Sequence, residues 1–182
     1  MRVLITGSES FYGYYLSAAA TNFGFEVVSF NLDPTESFEA LVERIKEINV
    51  DAAILAAGWS FGIQGNLSTP ASLSFNNLDQ LILLKACALA GVELLTYLGS
   101  SCMYPEALDR SLSPEDMLTG PLEQSSQDYA LVKLCGAGLC DAVSREFGYG
   151  YFSIIPSNVY GPRDEYGGDR MHVVNALCDR AL

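Results

Sequence analysis

Short apolar runs rich in Val, Ile and Leu alternate with longer amphipathic segments along this chain, and that order restricts the fold more than any other feature. It is the signature of βαβ units, in which helical crossovers cover a parallel sheet. Five runs predict buried strands: Arg2 to Thr6, Glu26 to Phe30, Ala52 to Ala56, Leu94 to Leu98 and Tyr151 to Ile155. Helices are predicted for Tyr12 to Phe23, Phe38 to Ile48, Asn76 to Ala90 and Asp128 to Phe147, with a further one at Met171 to Leu182. Gly24, Gly91 and Gly148 fall where a helix C-terminus takes a left-handed residue. Ser125 with Asp128 resembles a capping box in which Asp replaces Glu.

Length and composition narrow the function. The chain has 182 residues, close to one domain of roughly 150. Hydrophobic residues make up 49% and charged ones 18%, which excludes a disordered tail, a collagen and a charge-rich coiled coil. Ten basic residues against 22 acidic ones give a net charge of −12, which would repel nucleic acid and an anionic membrane surface. Neither is an expected partner, whereas a small phosphorylated ligand remains compatible, since a helix N-terminus binds phosphate whatever the net charge. The five cysteines contain no CxxC pair, so neither a disulfide framework nor a zinc site is expected. The opening MRVLIT is too short for a signal-peptide core, and no stretch reaches the ~18 apolar residues of a membrane span; the expected location is cytoplasmic.

Thr6 to Gly13 (TGSESFYG) joins the first predicted strand to the first helix, where a glycine-rich turn lets a helix N-terminus meet a pyrophosphate. Gly7 suits the tight turn and Gly13 close helix packing. Ser10 stands where a glycine normally admits the pyrophosphate, so its side chain either obstructs that approach or donates a hydrogen bond to phosphate. After the second strand Asn31 occupies the place of the acidic residue that would bind the NAD ribose, with Asp33 two residues on, which leaves NAD and NADP both open. Tyr104 to Gln127 carries three prolines without apolar periodicity and is expected to be a long functional loop at the carboxyl ends of the strands.

Tyr129 and Lys133 are spaced i,i+4 in a predicted helix and share one face. A neighbouring ammonium favours phenolate and would bring the tyrosine towards its working range. Ser100, just past the fourth strand, would place a hydroxyl beside that phenol. The same two residues could equally be an ordinary surface pair.

These residues sit in four segments, LGSSCMYP (Leu98–Pro105), LTGPLE (Leu118–Glu123), YALVK (Tyr129–Lys133) and PSNVYGP (Pro156–Pro162). With Gly62, Ile63, Asn66, Pro70 and Asn77, they resemble the extended short-chain dehydrogenase/reductase family over essentially the whole chain, and within it the GDP-L-fucose synthase branch. The resemblance implies an α/β fold, a Rossmann-type doubly wound parallel sheet with helices on both faces over residues 1–182, binding NADP, with NAD possible. It implies cofactor contacts at Gly7, Ser10, Phe11, Tyr12, Gly13, Asn31, Ala56, Ala57, Gly58, Tyr129, Lys133, Pro156, Asn158 and Val159. It implies catalytic roles for Ser100, Tyr129 and Lys133, with Cys102 and His172, the single histidine, as an acid/base pair. The implied substrate is a nucleotide sugar, met by Ser101, Cys102, Asn158, His172 and Arg180.

Chemically, a 4-keto group acidifies the hydrogens on C3 and C5, so epimerisation takes a base and an acid on opposite faces before hydride reaches C4. Thiol and imidazole, with reference pKa values near 8.5 and 6.5, suit that exchange. Two rival functions stay open: another nucleotide-sugar 4-epimerase, reductase or dehydratase that does not need Cys102 and His172, and a non-catalytic cofactor-binding module. The family's sugar contacts come largely from a C-terminal domain, which is expected to be mostly absent from 182 residues. Gly136 and Gly138 could permit close helix approach and, with the family's dimeric habit, suggest a homodimer. Cys87, Cys135, Cys140 and Cys178 are expected to pack as small hydrophobes.

Overall fold

The computed structural model describes residues 1–164 and 171–181. Five strands, β1 (Arg2–Thr6), β2 (Glu26–Phe30), β3 (Ala52–Leu55), β4 (Leu94–Leu98) and β5 (Gly150–Ile154), form one sheet in the order β2-β1-β3-β4-β5. Every neighbouring pair is parallel. The helices are α1 (Phe11–Asn22), α2 (Phe38–Ile48), α3 (Ile63–Ser68), α4 (Pro70–Leu89), α5 (Gln127–Phe147) and α6 (Val173–Ala181). The expected doubly wound α/β fold is present, and Leu182 of the predicted last helix lies outside the described residues.

The pleat explains why the strands read as continuous apolar runs. Leu4, Ala53, Leu55, Leu95, Tyr97 and Tyr151 turn to one face and join Leu41, Ile45, Leu83, Leu84 and Cys87 in the larger core. Val3 and Ile5 turn to the other face, against Ala20 and Leu16 of α1. On that second face Leu94, Phe152 and Ile154 of β4 and β5 remain exposed. Because β2 and β3 lie on opposite sides of β1, the chain reverses direction of winding there, and a crevice opens at the carboxyl ends of β1 and β3.

Four expectations need correction. Helix α4 begins at Pro70 rather than Asn76, with Pro in the first turn, where its missing N–H costs nothing. Of the first turns, Pro70 to Phe75, only Leu73 is buried, so they carry no apolar stripe, and further on the buried face includes the polar Asn77 and Gln80. The Ser125/Asp128 capping box does not form: the Glu123 carboxylate instead accepts from the Ser125 and Ser126 amides at 2.9 and 3.1 Å, ahead of α5. Gly136 makes room for a sheet residue, since a Cβ there would overlap the Tyr97 ring, whereas Gly138 faces open space. Cys87 and Cys140 are buried as expected, but Cys135 and Cys178 lie on exposed helix faces.

Gly24, Gly91 and Gly148 do adopt left-handed φ angles. The Tyr104 to Gln127 segment is irregular, pinned by a Pro105–Leu122 bridge and an Arg110–Asp116 ion pair. Among the described residues no helix is long and apolar enough to cross a membrane, and no His/Cys/Asp/Glu cluster suits a metal ion.

Candidate active site

Two recesses adjoin at the crevice and share Ala57 and Gly58. The smaller, of about 320 Å³, is lined by Gly7, Ser10 and Asn31 together with Thr6, Trp59, Asp79 and Gln80. The turn is built tightly. A Cβ on Gly13 would overlap the Gly7 carbonyl, and one on Gly7 would sit 2.8 Å from Ala57 Cα. Ser10 is the N-cap of α1, its hydroxyl accepting from the Gly13 amide at 3.2 Å. Thr6 holds the neighbouring strand end: its hydroxyl accepts from the Ala56 and Ala57 amides at 3.0 Å each and donates to Gln80 at 3.1 Å. A turn in which glycines admit close backbone approach, at the start of a 12-residue helix, fits a dinucleotide pyrophosphate.

Of the residues expected to meet a cofactor, Gly13 supports the turn from behind. Phe11 packs edge-on against Tyr12 and Tyr15, with ring centroids 5.4 Å away. Neither lines a recess. The others do.

The larger recess, of about 550 Å³, brings together Tyr12, Ser100, Ser101, Cys102, Tyr129, Lys133, Pro156, Asn158, Val159, His172 and Arg180. Three devices position them. A 3₁₀ turn, Ser101–Met103, follows β4, and Ser100 Oγ accepts from the Cys102 amide at 3.3 Å. Helix α5 presents Tyr129 and Lys133 one turn apart, and Lys133 Nζ donates to the Leu98 carbonyl at 2.9 Å. Beyond β5 the chain returns through Pro156 to Asp164, and α6 carries Arg180 on to the same recess.

The electrostatics differ from the expectation for Tyr129. Burial pushes its phenol up, and the hydrogen bond with Ser100 only partly offsets this. Lys133 is itself desolvated and pushed down to about 8, with its Nζ 5.7 Å from the Tyr129 ring centroid. Desolvation therefore dominates, and the residue is a neutral phenol that can donate a proton.

His172 lies just before α6. Its Nδ1 is 3.1 Å from Asp164 Oδ1, and its Nε2 is 3.2 Å from Ser60 Oγ. Thr6, Gln80, Ser60, Asp164 and Glu123 were all missed by the sequence reasoning. Thr6 and Glu123 stand inside the TGSESFYG and LTGPLE segments and Asp164 follows PSNVYGP, but no motif assigned them a role; Ser60 and Gln80 carry no motif, and their partners are distant in sequence. Asn66, already within the family resemblance, has a buried amide oxygen without a partner at the recess wall.

The sequence profile of the NAD dependent epimerase/dehydratase family matches residues 3–182. Over 99% of its length the chain is 34% identical to a GDP-L-fucose synthase of Sinorhizobium fredii, and over its full length 32% identical to a GDP-L-colitose synthase of Yersinia pseudotuberculosis. It spans 58% and 60% of those two proteins. Among solved structures, MlghC, a GDP-mannoheptose C4 reductase from Campylobacter jejuni with NADP bound, superposes with a TM-score of 0.85 over 98% of this chain and 54% of its own, at 23% identity. With its profile matched from the first strand to the last helix, the chain belongs to the NAD dependent epimerase/dehydratase family.

Proposed function

We propose that this chain carries the cofactor-binding and acid/base machinery of a nucleotide-sugar epimerase/reductase acting on a 4-keto-6-deoxy sugar nucleotide. The observation that carries the reading is the convergence of Cys102 and His172, from opposite ends of the second half of the chain, on the recess that holds Ser100, Tyr129 and Lys133. A reductase or simple 4-epimerase has use for the last three alone; a thiol and an imidazole beside them serve proton exchange.

Gly7, Ser10, Asn31, Ala57 and Gly58 would hold NADP(H), or NAD(H), which when bound supplies the hydride for C4. Cys102 and His172 exchange protons at C3 and C5 of the ketone. Tyr129, kept neutral by burial, gives its proton to the C4 oxygen, while Ser100 and the Lys133 ammonium stabilise the negative charge developing there. Asn158, Ser101 and Arg180 meet the sugar nucleotide. We place the protein in the cytoplasm as a homodimer, supported by exposed apolar stripes on the packed pair α4 and α5, with Phe75, Leu78 and Ile82 on one and Leu131 and Leu139 on the other. A sedimentation boundary that stays monomeric at micromolar concentration overturns the dimer.

The decisive measurement separates proton exchange from reduction. With a 4-keto-6-deoxy sugar nucleotide in heavy water, deuterium should enter C3 and C5, and Cys102→Ser should suppress that uptake by about 10²-fold. Undiminished sugar turnover in Cys102→Ser would falsify double epimerisation and favour an enzyme acting through Tyr129 and Lys133 alone. Failure to bind NADPH at millimolar concentration would leave a non-catalytic module.

A further inference from the structure

We infer that Asp164 is a positioning residue that holds the single histidine in one tautomer, with its Nε2 lone pair directed to the recess. This deepens the proposed function and rests on it for the role of His172 as a base. Asp164 is 2% exposed at its side chain whereas His172 is 38% exposed, so the carboxylate is the buried anchor and the imidazole the accessible partner. Both carboxylate oxygens are engaged from the same helix start: Oδ1 with His172 Nδ1 at 3.1 Å, and Oδ2 with Asn175 Nδ2 at 3.1 Å. The bond from Asn175 fixes the plane of the carboxylate, so that its other oxygen stays on His172 Nδ1.

The tautomer follows from hydrogen-bond chemistry. An ionised carboxylate only accepts, so Nδ1 must carry the proton, and in the neutral ring Nε2 then has the lone pair. Ser60 Oγ, 3.2 Å from Nε2, must therefore donate to it, and both atoms belong to residues lining the larger recess. Ser60 holds the base's lone pair until a substrate C–H takes its place. The turn that supplies Asp164 is clamped to α1: Tyr15 donates its hydroxyl to the Pro162 carbonyl at 3.0 Å, and the Arg163 guanidinium lies 3.9 Å from the Tyr14 ring centroid. Asp164 also acts on Tyr12, whose phenol is raised by burial and by the carboxylate's charge. The anchor is thus fixed by contacts outside the recess, as an orienting carboxylate must be if it is to hold a base without reacting itself.

Because the chain has one histidine, nitrogen NMR on protein carrying isotopically labelled histidine reads this ring alone. On the alkaline plateau of the ring's own nitrogen signals the imidazole is neutral and its two nitrogens are distinguishable. Wild-type protein should show Nδ1 protonated and Nε2 unprotonated; the reverse, the form that free histidine prefers, overturns the inference without any variant. Asp164→Ala should move the ring to a mixture dominated by Nε2–H, while NADPH affinity stays within about twofold. An unchanged tautomer in a folded Asp164→Ala protein also overturns it. In turnover, Asp164→Ala should lower kcat for deuterium uptake by about 10²-fold with KM little changed, and Asp164→Glu should recover part of it. If the tautomer shifts as stated and deuterium uptake does not fall, the positioning stands and the assignment of His172 as base fails.

Discussion

Lys133 donates from its ammonium to the Leu98 carbonyl at 2.9 Å, tying the helix that carries Tyr129 to the strand end from which Ser100 follows. The bond gives a nearly inaccessible ammonium a fixed partner, yet burial still pushes the group down to about 8. The charge is therefore present below that pH and lost as pH rises through it. In the proposed reaction kcat should fall on the alkaline side with a midpoint near 8. Lys133→Arg keeps its charge at all accessible pH, so whatever activity remains should lack that limb. A wild-type profile flat up to about pH 10, the ordinary lysine range, would show that this ammonium does not act.

The two glycines of α5 should respond oppositely to the same change. Gly136→Ala drives a methyl into the Tyr97 ring, against a buried hydroxyl without a partner, and should destabilise the fold by about 1–3 kcal/mol. Gly138→Ala meets nothing and should stabilise by up to about 1 kcal/mol through helix propensity. Urea denaturation of both checks the pair; equal shifts would contradict the helix-on-sheet packing.

Thr6→Val keeps shape but removes the hydroxyl that serves the Ala56 and Ala57 amides and Gln80. Leaving these groups unpaired should cost about 2–4 kcal/mol, seen as a lowered denaturation midpoint. A loss below about 0.5 kcal/mol, the scale of ordinary surface changes, would mean that water replaces the hydroxyl.

At Ser10 the hydroxyl accepts from Gly13, which leaves its own proton to donate to a phosphate. Ser10→Ala should cost about 1 kcal/mol as a lost helix cap, and Ser10→Gly only a few tenths. In a fluorescence titration Ser10→Gly should bind NADPH several-fold more weakly, by roughly the 1 kcal/mol of one hydrogen bond. Tighter binding would identify the side chain as an obstruction instead.

The amino-acid order by itself determined the sheet. Each strand was legible to within one residue, because each is a short apolar run of strand length bounded by polar or turn residues, whereas the apolar run Leu81–Leu84 sits inside a longer helical segment. It also determined that Tyr129 and Lys133 share a helix face, since helical spacing is local. Tertiary structure decided what the polar groups do. Asn77 and Gln80 are polar yet buried, and what they do follows only from partners brought to them from elsewhere in the chain, the Trp59 carbonyl and Thr6. The phenol of Tyr129 moves up rather than down because its protonation depends on how much water the fold removes, which spacing does not encode. The lone histidine was visible at once, but the carboxylate that orients it was not. Asp164 and His172 become partners only when the turn after β5 is clamped against α1, and burial then makes their hydrogen bond matter.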